Sequence, residues 1–235
     1  MTEERSKTIA FVVYPGLTLL DLAGPLQVLT PLAVAGYRVL TVGERATPHD
    51  TDTPLAITPT HTFADVPTPD VVVVPGGAAP TLRAMADERL LDYLRTASAH
   101  ATVLASVCTG ALLLGAAGLL DGRRATTHWV MRDQLAALGA TPVAERWVED
   151  GPVLTAAGVA AGIDMALHLV TRLEGADIAR TIQFAVEYDP EPPLGPLDWS
   201  RAPHAEFGAL RSAWLREGLA DHPDLLARLG GDSVA

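Results

Sequence analysis

Four runs of apolar, largely β-branched residues constrain this chain most: TIAFVVYP (8–15), YRVLTV (37–42), DVVVVPGG (70–77) and TVLASVC (102–108). None of them alternates polar with apolar residues, as a strand with one wet face would. Continuous runs of this kind suit strands covered on both faces, which is the condition of a parallel sheet. Helical patterns lie between them. LAGPLQVLTPLAVAG (22–36) carries prolines at 25 and 31, which start the helix late or kink it. DERLLDYLRTASAH (87–100) is amphipathic, with an Asp near its N-cap. TGALLLGAAGLL (109–120) is apolar on every side and therefore buried. Strand and helix in alternation predict a doubly wound, mostly parallel α/β sheet flanked by helices.

Downstream, HWVMRDQLAALG (128–139) reads as helical, and ERWVEDGPVLTAAG (145–158) reads as a two-stranded stretch turning at Asp150-Gly151. Helices are expected over 161–175, 175–188 and 204–219. The segment PEPPLGPLDWSRAP (190–203) has too many prolines for a helix and is too long for a tight turn, so it is expected to be an arm or surface strap. No internal repeat and no second domain is visible. A single domain over 1–235 is expected, with a helical tail over 204–230.

With 235 residues, 49% apolar and 19% charged, the chain has material for one large core and no signature of disorder. Its formal net charge of −11 opposes nucleic acid and anionic membrane surfaces as partners. One cysteine cannot make an internal disulfide, so an oxidising compartment is not required and a cytoplasmic location is expected. The apolar start TIAFVVYPG is too short for a secretory signal and is broken by Pro15 and Gly16. PVLTAAGVAAGIDMALHLV (152–170) is long enough to span a bilayer only if Asp164, His168 and its small residues are ignored; a strand, a turn and a buried helix explain it better.

The single cysteine lies in ASVCTG (105–110), where a buried-type strand meets an apolar helix. A sharp strand-to-helix turn needs small residues two before and two after its apex, and here they are Ser106 and Gly110. Such a turn presents its apex side chain at the carboxyl edge of the sheet, where α/β sheets bind ligands. The helix N-terminus beside it favours negative charge, which predicts an exposed Cys108 with a lowered pKa. A buried cysteine acting only as a small apolar residue is the competing reading.

Two other loops belong to the same edge. DVVVVPGG ends in Gly76 and Gly77, where backbone can approach a ligand and point N–H groups at it, although a plain turn would look the same. YPGLTLLDLAGP (14–25) sets Asp21 among apolar residues, either as a helix cap or as a buried carboxyl beside the thiol. Seven scattered histidines show no HxxxH or HExxH spacing, so no metal site is expected. Asp164 reads as a buried acid bonded to backbone, and Arg123-Arg124 as a solvated basic pair.

SVCTGALLLGAAGLLDGRRATTHW, VVVVPGG, PGLTLLDLAGP and LTAAGVAAGIDMALHLV together resemble the ThiJ/PfpI superfamily, and within it, with IQFAVEYDPEPP, the isonitrile hydratases. The similarity runs from about residue 8 to about residue 195. The resemblance implies a flavodoxin-like fold of the class I glutamine amidotransferase kind and a homodimer. It implies Cys108 as nucleophile, Asp21 as its acid partner, Thr109 as a contributor of a backbone N–H and a hydroxyl, and Gly77 as a further donor beside Gly76. Peptidase-like members carry His directly after the cysteine; Thr109 stands there in this chain. His128 matches a histidine found near the cysteine in several branches and is read here as structural.

The activity so implied is hydration of an isonitrile to an N-substituted formamide, with no cofactor and no metal, on a small substrate whose apolar group would suit Leu17, Leu19 and Leu20. Two alternatives remain. One is a small-molecule or oxidant sensor related to AraC-type regulators, which carry a DNA-binding module of roughly a hundred residues that the remaining chain is too short and too acidic to supply. The other is a relative acting on small aldehydes.

Overall fold

The computed structural model describes residues 6–230. Seven strands form the main sheet: β1 (Lys7–Val12), β2 (Tyr37–Gly43), β3 (His61–Thr62), β4 (Val71–Val74), β5 (Val103–Val107), β6 (Trp147–Asp150) and β7 (Val153–Ala156). Their order is β6-β7-β5-β4-β1-β2-β3. Every pairing is parallel except β6 with β7, the hairpin turning at Asp150-Gly151. β4 and β5 are buried at every position, as their unbroken apolar runs require.

Helices α1 (Leu19–Leu29), α2 (Ala79–Ala84), α3 (Glu88–Ser98), α4 (Gly110–Ala116), α5 (Ala161–Glu174), α6 (Ala176–Ala185), α7 (His204–Gly218) and α8 (Pro223–Arg228) cover the sheet and its ends. α3 starts as expected, with the Asp87 carboxylate accepting the N–H groups of Arg89 and Leu90. α4 carries Leu112, Leu113 and Leu114 wholly inside the core, between the sheet and helices α2 and α3. α1 packs on α5, and α7 packs on α2. There a Cβ on Gly218 would stand 2.5 Å from the Ala79 carbonyl, so only glycine allows that approach.

Three expectations change. α1 begins at Leu19 rather than 22 and runs through Pro25, giving way to a 3-10 turn over Thr30–Ala35; Pro25 sits in the second turn, where losing its N–H does not end the helix. The stretch 128–139 is not one helix but a 3-10 turn (Trp129–Met131) followed by a single helical turn (Gln134–Ala137). The tail over 204–230 is helical but broken at Leu219, where α7 ends before α8. The segment 190–203 is helical only over Trp199–Arg201. Residues 152–170 resolve into β7, a turn and the start of α5, and among the described residues no helix is long and apolar enough to cross a membrane.

Because β1, β4 and β5 are parallel neighbours, their carboxyl ends open on one edge. The loop that enters α1, the Pro75-Gly76-Gly77 turn and the start of α4 therefore meet there.

Candidate active site

Cys108 sits between β5 and α4 with φ of 55°, a left-handed conformation that is uncommon for a residue with a side chain. Such a residue costs about 1–3 kcal/mol and persists only where its surroundings hold it. Here the hold is explicit. The Cys108 N–H donates to the carbonyls of Ala156 and Ala157, both at 3.1 Å, and its own carbonyl accepts the Thr127 hydroxyl at 2.6 Å. Gly110 gives the helix its close entry: a Cβ there would lie 2.2 Å from the Val74 carbonyl oxygen. The small residue two positions after the apex is thus fixed by backbone contact.

The expected exposure of Cys108 is not found. The thiol is buried, and burial outweighs the helix N-terminus, so its pKa is raised rather than lowered. The Asp21 charge pushes it further up, while the backbone N–H groups of Thr109 and Val159 act on the sulfur in the opposite sense. Val159 has φ of 20°, and its N–H is a site contact that the sequence reading did not find; only the glycines around it in AAGVAAG signalled an unusual backbone.

Asp21 is fully buried in the first turn of α1. It is not the helix cap, since Thr18 holds that position. Its Oδ2 accepts the Gly76 N–H at 3.0 Å. Its Oδ1 is buried without a hydrogen-bond partner, and the Cys108 thiol is the ionisable side chain of the turn that acts on the carboxyl. Burial raises its pKa to about 7; the Gly76 N–H and the thiol counter this in part, and Asp52 adds to it. Carboxyl and thiol are therefore both pushed toward their protonated forms, and they titrate as a pair.

Gly76 and Gly77 were expected to aim donors at a substrate. Instead the Gly76 N–H is used by Asp21, and the Gly77 N–H donates to the Thr109 hydroxyl at 2.8 Å. That hydroxyl donates to the Gly77 carbonyl at 2.6 Å, so Thr109 locks the turn rather than facing outward. The glycines are still required, because a Cβ on Gly76 would stand 2.5 Å from the Thr109 nitrogen. Behind them, buried Tyr14 contacts the Pro75 carbonyl at 2.9 Å and the Thr81 hydroxyl at 2.8 Å. No sequence pattern marked Tyr14 as a support for this turn.

His128 caps the Trp129–Met131 turn through Nδ1, 3.4 Å from the Val130 nitrogen, and its ring packs on Gly158; burial lowers its pKa. Asp164 is not bonded to backbone as expected but ion-paired with Arg146, because the first turn of α5 faces the start of β6. Arg123 and Arg124 are not simply solvated: they reach Asp150 and Glu145. Leu17 is wholly buried, whereas Leu20 is 46% exposed.

The site is thus a buried thiol beside a buried carboxyl, each pushed toward its protonated form, with the Thr109 and Val159 N–H groups favouring the thiolate. That set can deliver a nucleophile and a proton to one neutral molecule. Comparison with known proteins agrees with this geometry. Residues 7–172 match the model of the DJ-1/PfpI family. An isonitrile hydratase of Pseudomonas putida is 46% identical over 197 residues, covering 84% of this chain and 85% of that protein. The HTH-type transcriptional regulator CdhR of Pseudomonas aeruginosa is 37% identical over 114 residues, but only 33% of its length is matched. The crystal structure of a ThiJ/PfpI family protein from Pseudomonas syringae superimposes with a TM-score of 0.83 at 37% identity, covering 96% of this chain and 91% of that one. With the sheet order, the cysteine turn and the matched span in agreement, the chain belongs to the DJ-1/PfpI family.

Proposed function

We propose that this protein is an isonitrile hydratase, converting R–N≡C and water to an N-substituted formamide. The observation that carries the reading is the Asp21–Cys108 pair: a wholly buried carboxyl with its pKa raised to about 7, one oxygen held by the Gly76 N–H and the other unpartnered, next to a buried thiol at the apex of the turn with which it interacts electrostatically. The similarity of most of the chain to the Pseudomonas putida enzyme supports it.

The chemistry follows from the pair. In its singly protonated state the proton passes between carboxyl and sulfur, and the Thr109 and Val159 N–H groups stabilise the thiolate form. The thiolate adds to the terminal carbon of the isonitrile while Asp21 gives its proton to that same carbon, leaving a thioimidate, R–N=CH–S–Cys108, and a carboxylate. Asp21 then takes a proton from water as the water adds to the carbon, and relays it to nitrogen. The tetrahedral adduct collapses: the C–S bond breaks, the hydroxyl proton goes to Asp21, and the formamide leaves. Carboxyl and thiolate are restored. Gly76 holds the carboxyl, and the Thr109–Gly77 lock holds the sulfur's turn.

The reading also takes the protein as a cytoplasmic homodimer that acts without nucleic acid, as a net charge of −11 and a lone cysteine suggest. Leu194 and Leu197 on the strap are 97% and 76% exposed, which favours a partner surface there. The test is direct: incubation with cyclohexyl isonitrile and detection of N-cyclohexylformamide, which the parent produces and Cys108→Ala does not. The alternative sensor reading has the local similarity to CdhR in its favour, and predicts no formamide.

A further inference from the structure

A second concave surface lies outside the thiol pocket. It is a cleft of about 500 Å3 between the Trp129–Met131 turn and helix α7, a size that suits a small ligand. One wall is aromatic: the Trp129 ring centroid lies 5.0 Å from Phe207, 5.4 Å from His204 and 6.0 Å from Trp199. Trp199 and His204 meet the Trp129 ring edge to face and Phe207 lies tilted at 50° to it, so the rings pack on Trp129 from different sides. Trp129, His204 and Phe207 line the cleft and Trp199 backs it, a wall rather than a cage around a cation. The rest of the lining includes Arg132 and Arg211, both half-buried. Among the described residues neither guanidinium has an ion pair or a side-chain hydrogen bond, although Asp133 lies on the exposed rim.

In a chain with a net charge of −11, one cleft is lined by an aromatic wall and two half-buried arginines, and Asp133 is, among the described residues, the one acid in that lining, not ion-paired with either. Guanidinium groups present planar, paired donors to carboxylates, and they lose much of their hydration when an aromatic face lies alongside. We infer that this cleft is a binding site for a small planar aromatic carboxylate, whose ring lies on Trp129 and Phe207 and whose carboxylate meets Arg132 and Arg211. The site is separate from the thiol. Its Trp129 wall continues the segment that braces the cysteine turn, where the Thr127 hydroxyl donates to the Cys108 carbonyl and the His128 ring, 6.1 Å from that of Trp129, packs on Gly158.

The test uses calorimetry on the full chain with two probes of one shape, 2-naphthoate and the uncharged 2-naphthamide. The site requires saturable 1:1 binding of naphthoate, at least about tenfold tighter than naphthamide, the scale of a hydrogen-bonded charge. Arg132→Gln with Arg211→Gln should remove that preference and leave naphthamide binding within about twofold. Alkylation of Cys108 should change neither affinity, which separates this cleft from the thiol pocket whatever reaction the thiol performs. Equal affinity for the two probes on the parent protein would overturn the inference without recourse to any variant. So would retained preference in the double variant, loss of binding on alkylation, or no saturable heat with naphthoate.

Discussion

Asp21→Asn offers a reading of the site that needs no substrate. The carboxyl is wholly buried, and its pKa is raised from 3.8 to about 7, chiefly by loss of solvent. Near pH 3 and below, the folded and unfolded chains both hold the proton, and the carboxyl is neutral to stability. Between about pH 4 and pH 7 the folded protein keeps a proton that the unfolded chain has released, so stability falls as pH rises. Above about pH 7 the fold bears the full cost of a buried carboxylate. At about 1.4 kcal/mol per pH decade, that cost reaches about 4 kcal/mol as an upper bound. Asn keeps the acceptor for the Gly76 N–H but never ionises. The variant should therefore match the parent near pH 3 and exceed it by about 2–4 kcal/mol at pH 8.5, or very roughly 5–12 °C in melting temperature for a chain of this size. Thermal melts of both proteins across that range, followed by circular dichroism, give the answer. A difference that stays constant with pH, or an Asn variant that is the less stable at pH 8.5, would refute the claim that Asp21 is a destabilised buried acid.

Other outcomes follow from the same geometry. Asp21→Asn should keep its reaction with iodoacetamide at Cys108 while losing isonitrile turnover by about 10²-fold or more, the scale of a lost general acid, measured as formamide release. Gly110→Ala should unfold or badly destabilise the protein, because its Cβ meets the Val74 carbonyl at 2.2 Å; denaturant titration checks this. Leu113→Ala, in the centre of the buried helix α4, should cost about 2–5 kcal/mol in the same assay. Sedimentation should give twice the chain mass, and a labelled DNA duplex should not bind saturably at physiological salt.

Much of this architecture was legible because parallel strands leave an unmistakable mark. VVVV is apolar throughout and VLASV is broken only by the small Ser106, and each proved buried on both faces. The cysteine turn was legible for a similar reason: Ser106 and Gly110 are small where the backbone passes close, and the packing confirms the demand at Gly110. The protonation state was not legible. The helix N-terminus argued for an acidic thiol, but that effect is small beside the cost of ionising a group without water, and depth is set by loops distant in sequence. Asp164 failed likewise: its partner Arg146 lies in the bend just before β6, and ion pairs between distant segments leave no periodic trace. The Val159 N–H was missed because a backbone group carries no residue signature. The roles given to Gly76 and Gly77 reversed once their hydrogen bonds were seen, since a glycine pair announces close approach but not what approaches.

The central claim is that Cys108 adds to an isonitrile carbon with Asp21 supplying the proton. Intact-protein mass spectrometry after mixing Asp21→Asn with cyclohexyl isonitrile, and after acid quenching of the parent in turnover, tests it most directly. The parent should carry a fraction of chains heavier by the mass of one isonitrile, with the adduct mapped to Cys108 and chased to free enzyme as formamide appears. Asp21→Asn should form that adduct slowly and Cys108→Ala not at all. Formamide production by Cys108→Ala at the parent's rate, or an adduct on any other residue, would contradict the account.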